Sequence, residues 1–304
     1  MNKKLVYTLL LFLTAMIWGA AFVAQSVSME LVEPFTFSAV RFAMGALALL
    51  PVIRVMDLKQ GRGKRALLPL RQDRELRRSG LVCGVIICAA SNFQQFGIQF
   101  TTAGKCGFIT TLYVALVPVL SVLLLKRRYG PSTWLGVGMA VVGMYFLCIT
   151  ESFAVTKGDV LVLLCAVLFA GHILAVDHYI ALVDGVRLAC LQMLVNALLS
   201  GVLMFLFEQP SLSAILAAWK PICYAGLLSC AVAYTLQVVC QKEVEPTLAS
   251  LIMSLESVFS VLFGWLLLHE QLSRRELLGC VLTFCAVLIV ELAPGIQRRK
   301  QSTT

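Results

Sequence analysis

Few polar side chains interrupt the long apolar stretches of this chain, and they are the ones placed to do chemistry. Arg41 stands about 9 Å inside the second stretch at 1.5 Å per residue. Its guanidinium suits a carboxylate; it can also snorkel outward or pair with Glu33. Glu256 lies about 13 Å into the ninth stretch and is the most deeply placed carboxylate. It suits proton coupling or substrate contact, or hydrogen bonding between helices. His172 is followed closely by Asp177 and His178, a cluster open to an acid–base role, with Asp177 to Arg187 pairing as the structural alternative. Asn92, Gln95 and Gln99 are spaced i, i+3, i+7 and share one helix face, and Tyr234, Gln237 and Gln241 repeat the spacing. Such stripes line an aqueous cavity or glue helices together, at about 0.6–2 kcal/mol per hydrogen bond. Gln94 points elsewhere on the same helix and reads as interfacial, while Gln192 and Asn196 share a face one turn apart. Trp18, Phe108, Tyr113 and Trp265 offer apolar or aromatic walls, and Thr110 and Thr111 offer hydroxyls or bonds back to their own helix.

No catalytic set accompanies these groups. The three histidines are His172, His178 and His269, without HExxH, and no GxSxG is present. The 11 cysteines form no CxxC pair and no Cys/His metal spacing, so neither cofactor, metal nor disulfide is expected.

The elements holding these residues follow from composition. Of 304 residues 60% are hydrophobic and 13% are charged, against about 25% charged in a soluble domain. Ten runs are long enough for helices across a bilayer core about 30 Å thick: 5–27, 35–53, 79–99, 106–125, 132–150, 158–180, 187–207, 218–240, 247–268 and 274–292. They are too long for barrel strands and do not alternate. The first lacks a clean cleavage site, so it reads as a span rather than a leader. Most of the 25 Lys and Arg fall in segments that share one side if the N-terminus is cytoplasmic: Lys3 and Lys4, the 54–78 loop, Lys126 to Arg128, Arg187, Lys242, and Arg298 to Lys300. The positive-inside rule then places both termini in the cytoplasm and requires an even number of spans. The formal charge of +9 is thus a topology signal, with the 54–78 loop free to touch anionic lipid and no nucleic-acid partner expected.

The two halves resemble each other. Gly84, Cys88, Ala89, Gln95 and Gln99 fall on Gly226, Cys230, Ala231, Gln237 and Gln241 at one constant offset, Leu135-Gly136 falls on Leu278-Gly279 at a similar one, and Arg41 falls over Gln192. Five spans per half is odd, so the second half enters the membrane upside down. The expected fold is all-α and integral to the membrane: ten transmembrane helices as two inverted five-helix repeats, over 1–150 and 151–304, with a site near the midplane between them. On helix 5, Gly136, Ala140 and Gly143 form a small-residue surface for packing within the monomer or for a weak homodimer seam.

The chain resembles the ten-helix EamA-type members of the drug/metabolite transporter superfamily. Its markers are Trp18-Gly19, Arg41-Phe42, Leu116-Val117-Pro118-Val119, Glu256, and the run from Trp265 through Glu270 to Gly279. Lys126-Arg127-Arg128 stand where the family often has Gly-Glu, and Ser257 where a proline is frequent. The resemblance implies a carrier of small metabolites. The expectation is a secondary-active transporter in the cell membrane, working by alternating access on a small molecule such as an amino acid, in the export direction. The sequence has no ATP-binding P-loop. A channel or a membrane enzyme without a recognisable motif is the alternative, and a passive structural subunit a third.

Overall fold

The computed structural model describes residues 3–61, 68–69, 73–101, 103–148, 156–268 and 273–301, all of whose regular elements are helical. In chain order the α-helices are α1 (Lys3–Ser28), α2 (Pro34–Lys59), α3 (Arg74–Gly97), α4 (Ala103–Thr111), α5 (Tyr113–Leu125), α6 (Pro131–Cys148), α7 (Lys157–Tyr179), α8 (Gly185–Phe207), α9 (Leu212–Ala217), α10 (Trp219–Cys223), α11 (Thr235–Cys240), α12 (Pro246–Met253), α13 (Glu256–Leu268) and α14 (Arg274–Gln301). A π-helical segment, Tyr224–Tyr234, joins α10 to α11. Among the described residues, 8 helical stretches are long and apolar enough to cross a membrane, and Leu277–Val290 is a shorter apolar one. The expected boundary between the halves at 150–151 lies outside the described residues, as do His269 to Leu272 of the second half's ending.

Local chemistry sets several helix starts. Asp73 accepts the amide of Leu76 at 2.9 Å and opens α3. Thr156 and Asp159 form a reciprocal capping box at α7. Asp184 accepts the Arg187 amide at 2.9 Å and opens α8. Helix α2 starts with Pro34, whose missing N–H costs nothing in the first turn. Its next free amides, those of Phe35 and Thr36, are met at 2.7 Å by the carboxylate of Glu208 at the end of α8. Helix α5 stops at Lys126, which turns the chain with φ 53°.

The main seams pair α2 with α8, α3 with α7 and α8, α6 with α14, and α1 with α12, α13 and the π segment. On α6 the small-residue surface serves packing inside the chain. A Cβ on Gly143 would come within 2.8 Å of the Thr283 amide on α14, and Ala140 is fully buried. One apolar core gathers Leu11, Val114 and Met253; a second gathers Phe42, Met193 and Val238. Between these two cores lie the polar groups of the site.

Candidate functional site

The cavity opens where two membrane-spanning helices are broken. Helix α4 ends at Thr111 and α5 begins at Tyr113; helix α12 ends at Met253 and α13 begins at Glu256. Both breaks are tightened turns of the same kind. The amides of Leu112 and Ala115 bond back three residues, to Ile109 and Leu112. Those of Leu255 and Ser257 likewise reach Ile252 and Ser254. Hydroxyls compete for the carbonyls at both places: Thr111 bonds to Gly107 and Phe108, and Ser250, Ser254, Ser257 and Ser260 each bond the carbonyl three residues back. Pro118, one turn beyond the first break, withholds an amide. Irregular backbone at membrane depth is tolerated where protein or a water-filled cavity surrounds it. Here the first residue past each break joins the other: the Tyr113 hydroxyl donates to Glu256 Oε1 at 3.1 Å.

Around this bond, α1 contributes Trp18, Phe22 and Gln25; α2 Arg41; α3 Gln94; α4 Thr110; α7 Phe169 and Ile173; the π segment Ser229 and Tyr234; α11 Gln237; and α12 Met253. The centre of a water molecule has about 40 Å³ to move in, room for about three waters. That is far below the roughly 300–1,000 Å³ of a small-molecule pocket. The π segment lies against it: Trp18 Nε1 donates to the Ser229 carbonyl at 3.4 Å, and the Trp18 and Tyr234 rings meet edge to face at 4.8 Å. Wide turns of this kind recur at functional sites.

The two charged groups in the cavity are held differently. Glu256 is 4% exposed and takes the Tyr113 hydroxyl. Arg41 is 3% exposed, and its guanidinium carbon lies 4.8 Å from the Phe37 ring centroid and 4.9 Å from that of Phe42. Its Nε is buried without an acceptor. Among the described residues, ion pairs join Arg127 to Asp177 and Glu245, and Arg187 to Asp57 and Asp184; Arg41 belongs to none of them.

Trp18, Arg41, Tyr113, Tyr234, Gln237 and Glu256 therefore converge on one cavity. Gln94 and Thr110 line it too, whereas Asn92, Gln95, Gln99, His172, Gln192, Asn196 and Gln241 do not. Asn92 donates to Ser200 Oγ at 2.9 Å and to the Cys88 carbonyl at 2.9 Å, and Asn196 donates to Ser91 Oγ at 3.1 Å while accepting from Ser200. These groups bind α3 to α8. His172 Nε2 and Gln192 Oε1 share a hydrogen bond of 2.9 Å between α7 and α8. Gln241 donates to the Ile173 carbonyl at 3.0 Å. Gln95 is fully buried outside the cavity, and Gln99 is exposed beside a shallow depression with Pro34 and Glu208.

Three expectations need correction. Arg41 does not pair with Glu33, whose carboxylate instead accepts the Gln209 amide. Asp177 pairs with Arg127 at 2.6 Å, because the loop after α5 carries that arginine across to the end of α7, while Arg187 pairs with the buried Asp57. The helix-3 stripe does not act as one face: Asn92 is spent on α8, and Gln94, read as interfacial, reaches the cavity while donating to Thr110 Oγ1 at 3.1 Å. Sequence reasoning passed over Phe22, Gln25, Phe169, Ser229 and Met253. Gln25 alone carried a signal, as a lone amide near the end of an apolar run.

Comparison with known proteins agrees with this architecture. The sequence profile of the EamA-like transporter family matches twice, over residues 5–149 and 156–292. An uncharacterized transporter of Archaeoglobus fulgidus is 31% identical over 290 residues, covering 95% of this chain and 87% of its own length. The uncharacterized transporter YoaV of Bacillus subtilis is 22% identical over 280 residues, covering 90% of this chain and 92% of its own. A protein of known crystal structure, 20% identical, superimposes with a TM-score of 0.75 over 95% of this chain and 97% of that one, which speaks to the fold. With its two family matches spanning nearly the whole length, this multi-pass membrane protein belongs to the EamA-like transporter family of the drug/metabolite transporter superfamily.

Proposed function

We propose that the protein is a secondary-active transporter of the cell membrane that moves a small metabolite, such as an amino acid, outward by alternating access. In this reading ten helices form two inverted five-helix units, over 1–150 and 151–304, with both termini cytoplasmic. The observation that carries it is the central cavity, where two broken helices, one from each half, bring Tyr113 and Glu256 together beside the buried Arg41. Broken helices meeting at mid-membrane are the usual way such carriers expose backbone and side-chain polarity to a solute.

The helix pairing supports exchange symmetry. Advancing every span by five turns the seam of α3 on α7 into that of the π segment and α11 on α1. It turns the seam of α12 and α13 on α1 into that of α4 and α5 on α7. The seams of α2 on α8 and α6 on α14 map onto themselves. A seam that maps onto itself is where two units rock against each other.

The experiment is reconstitution. Proteoliposomes are tested with a panel of amino acids and related metabolites, with and without a pH gradient. The expected result is saturable flux of a restricted set of solutes, faster when a proton gradient opposes the solute. Flux no greater than in empty liposomes for every solute, or unselective flux without saturation, overturns the reading.

A further inference from the structure

The cavity holds one cation and one carboxylate, and they do not neutralise each other: Glu256 takes the Tyr113 hydroxyl, and Arg41 stands between two phenyl faces outside every ion pair of the described residues. The two charges are not equivalent in what they require. A carboxyl in an apolar setting can shed its charge by binding a proton. A guanidinium cannot; it stays charged at any pH a cell reaches. Phenyl faces soften the charge of Arg41 but accept no hydrogen bond along the guanidinium edge. Its Nε is buried without an acceptor, and a buried donor left unmet is expensive. Arg41 therefore asks for an anion, while the buried Gln25 Oε1 and Gln237 Oε1 of the same cavity ask for hydrogen-bond donors. The walls around it, Trp18, Phe22, Phe169 and Tyr234, are aromatic, so they fit an apolar body behind that anion.

We infer that Arg41 is the anchor for the carboxylate of the transported solute, and that the substrate class is small organic monocarboxylates with an apolar body, in which an amino group adds less than the carboxylate. This rests on the carrier reading and sharpens it: amino acids enter this class through the carboxylate they share with simple acids. Arginine suits the task because its planar fork can offer two parallel donors to two oxygens.

A matched series of ligands separates the possibilities on the unaltered protein. L-Leucine, 4-methylpentanoate, L-leucinamide and 3-methylbutylamine share one apolar body and differ in whether they carry a carboxylate, an ammonium group or both. Binding to the purified protein is followed by tryptophan fluorescence, to which Trp18 in the cavity wall contributes, and by the thermal unfolding midpoint. L-Leucine and 4-methylpentanoate are expected to quench and stabilise with affinities within about tenfold of each other, and the amide and amine to bind at least about tenfold more weakly. Arg41→Gln is expected to erase the preference, and Arg41→Lys to keep part of it, since an ammonium group supplies charge without the fork. If the glutamine variant fails to fold, the ligand series on the unaltered chain still decides. Equal binding of the amine or the amide, or full affinity in a folded Arg41→Gln, overturns the anion reading. If the same proteoliposomes then carry a neutral or cationic solute, the carrier reading stands alone; if they carry nothing, both fall.

Discussion

Two buried polar regions lie side by side in this protein and behave oppositely. The seam between α3 and α8 holds Ser91, Asn92, Asn196 and Ser200, whose donors are spent on one another and on the Cys88 carbonyl, with the Asn92 Oδ1 alone of their polar atoms left without a partner. The cavity holds Arg41, Gln25 and Gln237, each with a buried polar atom that meets no partner, around the bond between Tyr113 and Glu256. Amide and hydroxyl chemistry is present in both. The difference lies in whether opposing residues complete each other. A network with its donors spent fixes two helices; a cavity with a free cation edge and free acceptors leaves valences for something that comes and goes. Polar residues inside a membrane are therefore sorted by what faces them, not by their type or depth.

The largest expected effect tests the cavity. Glu256→Gln keeps the shape and the bond from Tyr113 but removes the carboxylate. If the solute's movement is coupled to protons through Glu256, this variant is expected to lose gradient-driven uptake by tenfold or more, about 1.4 kcal/mol in the coupled equilibrium, and to flatten the pH profile of flux. Exchange of solute for solute is expected to continue. Gradient-driven flux with an unchanged pH dependence removes Glu256 from the coupling step. Tyr113→Phe is the milder companion. A typical hydrogen bond contributes about 0.5–1.5 kcal/mol, so losing it is expected to change the flux at saturating solute several-fold while the apparent affinity moves less. An unchanged maximal flux there means the bond between the two breaks plays no part in the moving step.

The seam is expected to answer in stability alone. Asn196→Ala and Ser200→Ala each remove interhelical hydrogen bonds worth about 0.6–2 kcal/mol. Thermal or denaturant unfolding in detergent should show that loss, and flux per folded molecule should stay within a factor of two of the unaltered protein. The pair should be less than additive, because Ser200 already bonds to Asn196. A selective fall in flux without a fall in stability would place the seam in the transport path and erase its contrast with the cavity.

How much of this was legible follows from the same contrast. Hydropathy and run length placed most helix ends to within a few residues, because a bilayer leaves the backbone little alternative, but α2 runs on to Lys59, α3 starts at Arg74 and α14 extends to Gln301, where charged residues carry the helix past the apolar run. Glu256 stood out by depth and chemistry and Tyr113 only as one of four aromatic or apolar walls, and the doubled break around them left traces in Pro118 and in the hydroxyls at Ser250, Ser254 and Ser257. What could not be read was rotation. Gln94 and Gln95 are neighbours about 100° apart on one helix. Which of them reaches the cavity depends on how α3 docks on α7 and α8, and so on close approaches such as that of Gly84 to the Gln192 carbonyl. The fate of Asn92 likewise depended on Ser200, 108 residues away.

The smallest effect belongs to the loop after α5, where this chain carries Lys126-Arg127-Arg128. Arg127 reaches Asp177 at 2.6 Å and lies 3.9 Å from Glu245, which also accepts the Tyr129 hydroxyl at 2.7 Å. This cluster links the α5–α6 loop of one half to the end of α7 and the start of α12 in the other, and like the donors of the seam its groups are spent on one another. It differs from the seam in being wet: the Arg127 side chain is 36% exposed and that of Asp177 15%. Exposed pairs contribute about 0.2–1 kcal/mol, so Arg127→Ala should lower stability by no more than that, and added salt should shrink the difference. Exchanging the charges, Arg127→Asp with Asp177→Arg, should recover most of what either single change loses. A larger loss that salt does not relieve would mean that the cluster is sealed from water as the α3–α8 seam is, and the line between wet and buried polar contacts would have to be redrawn through this loop.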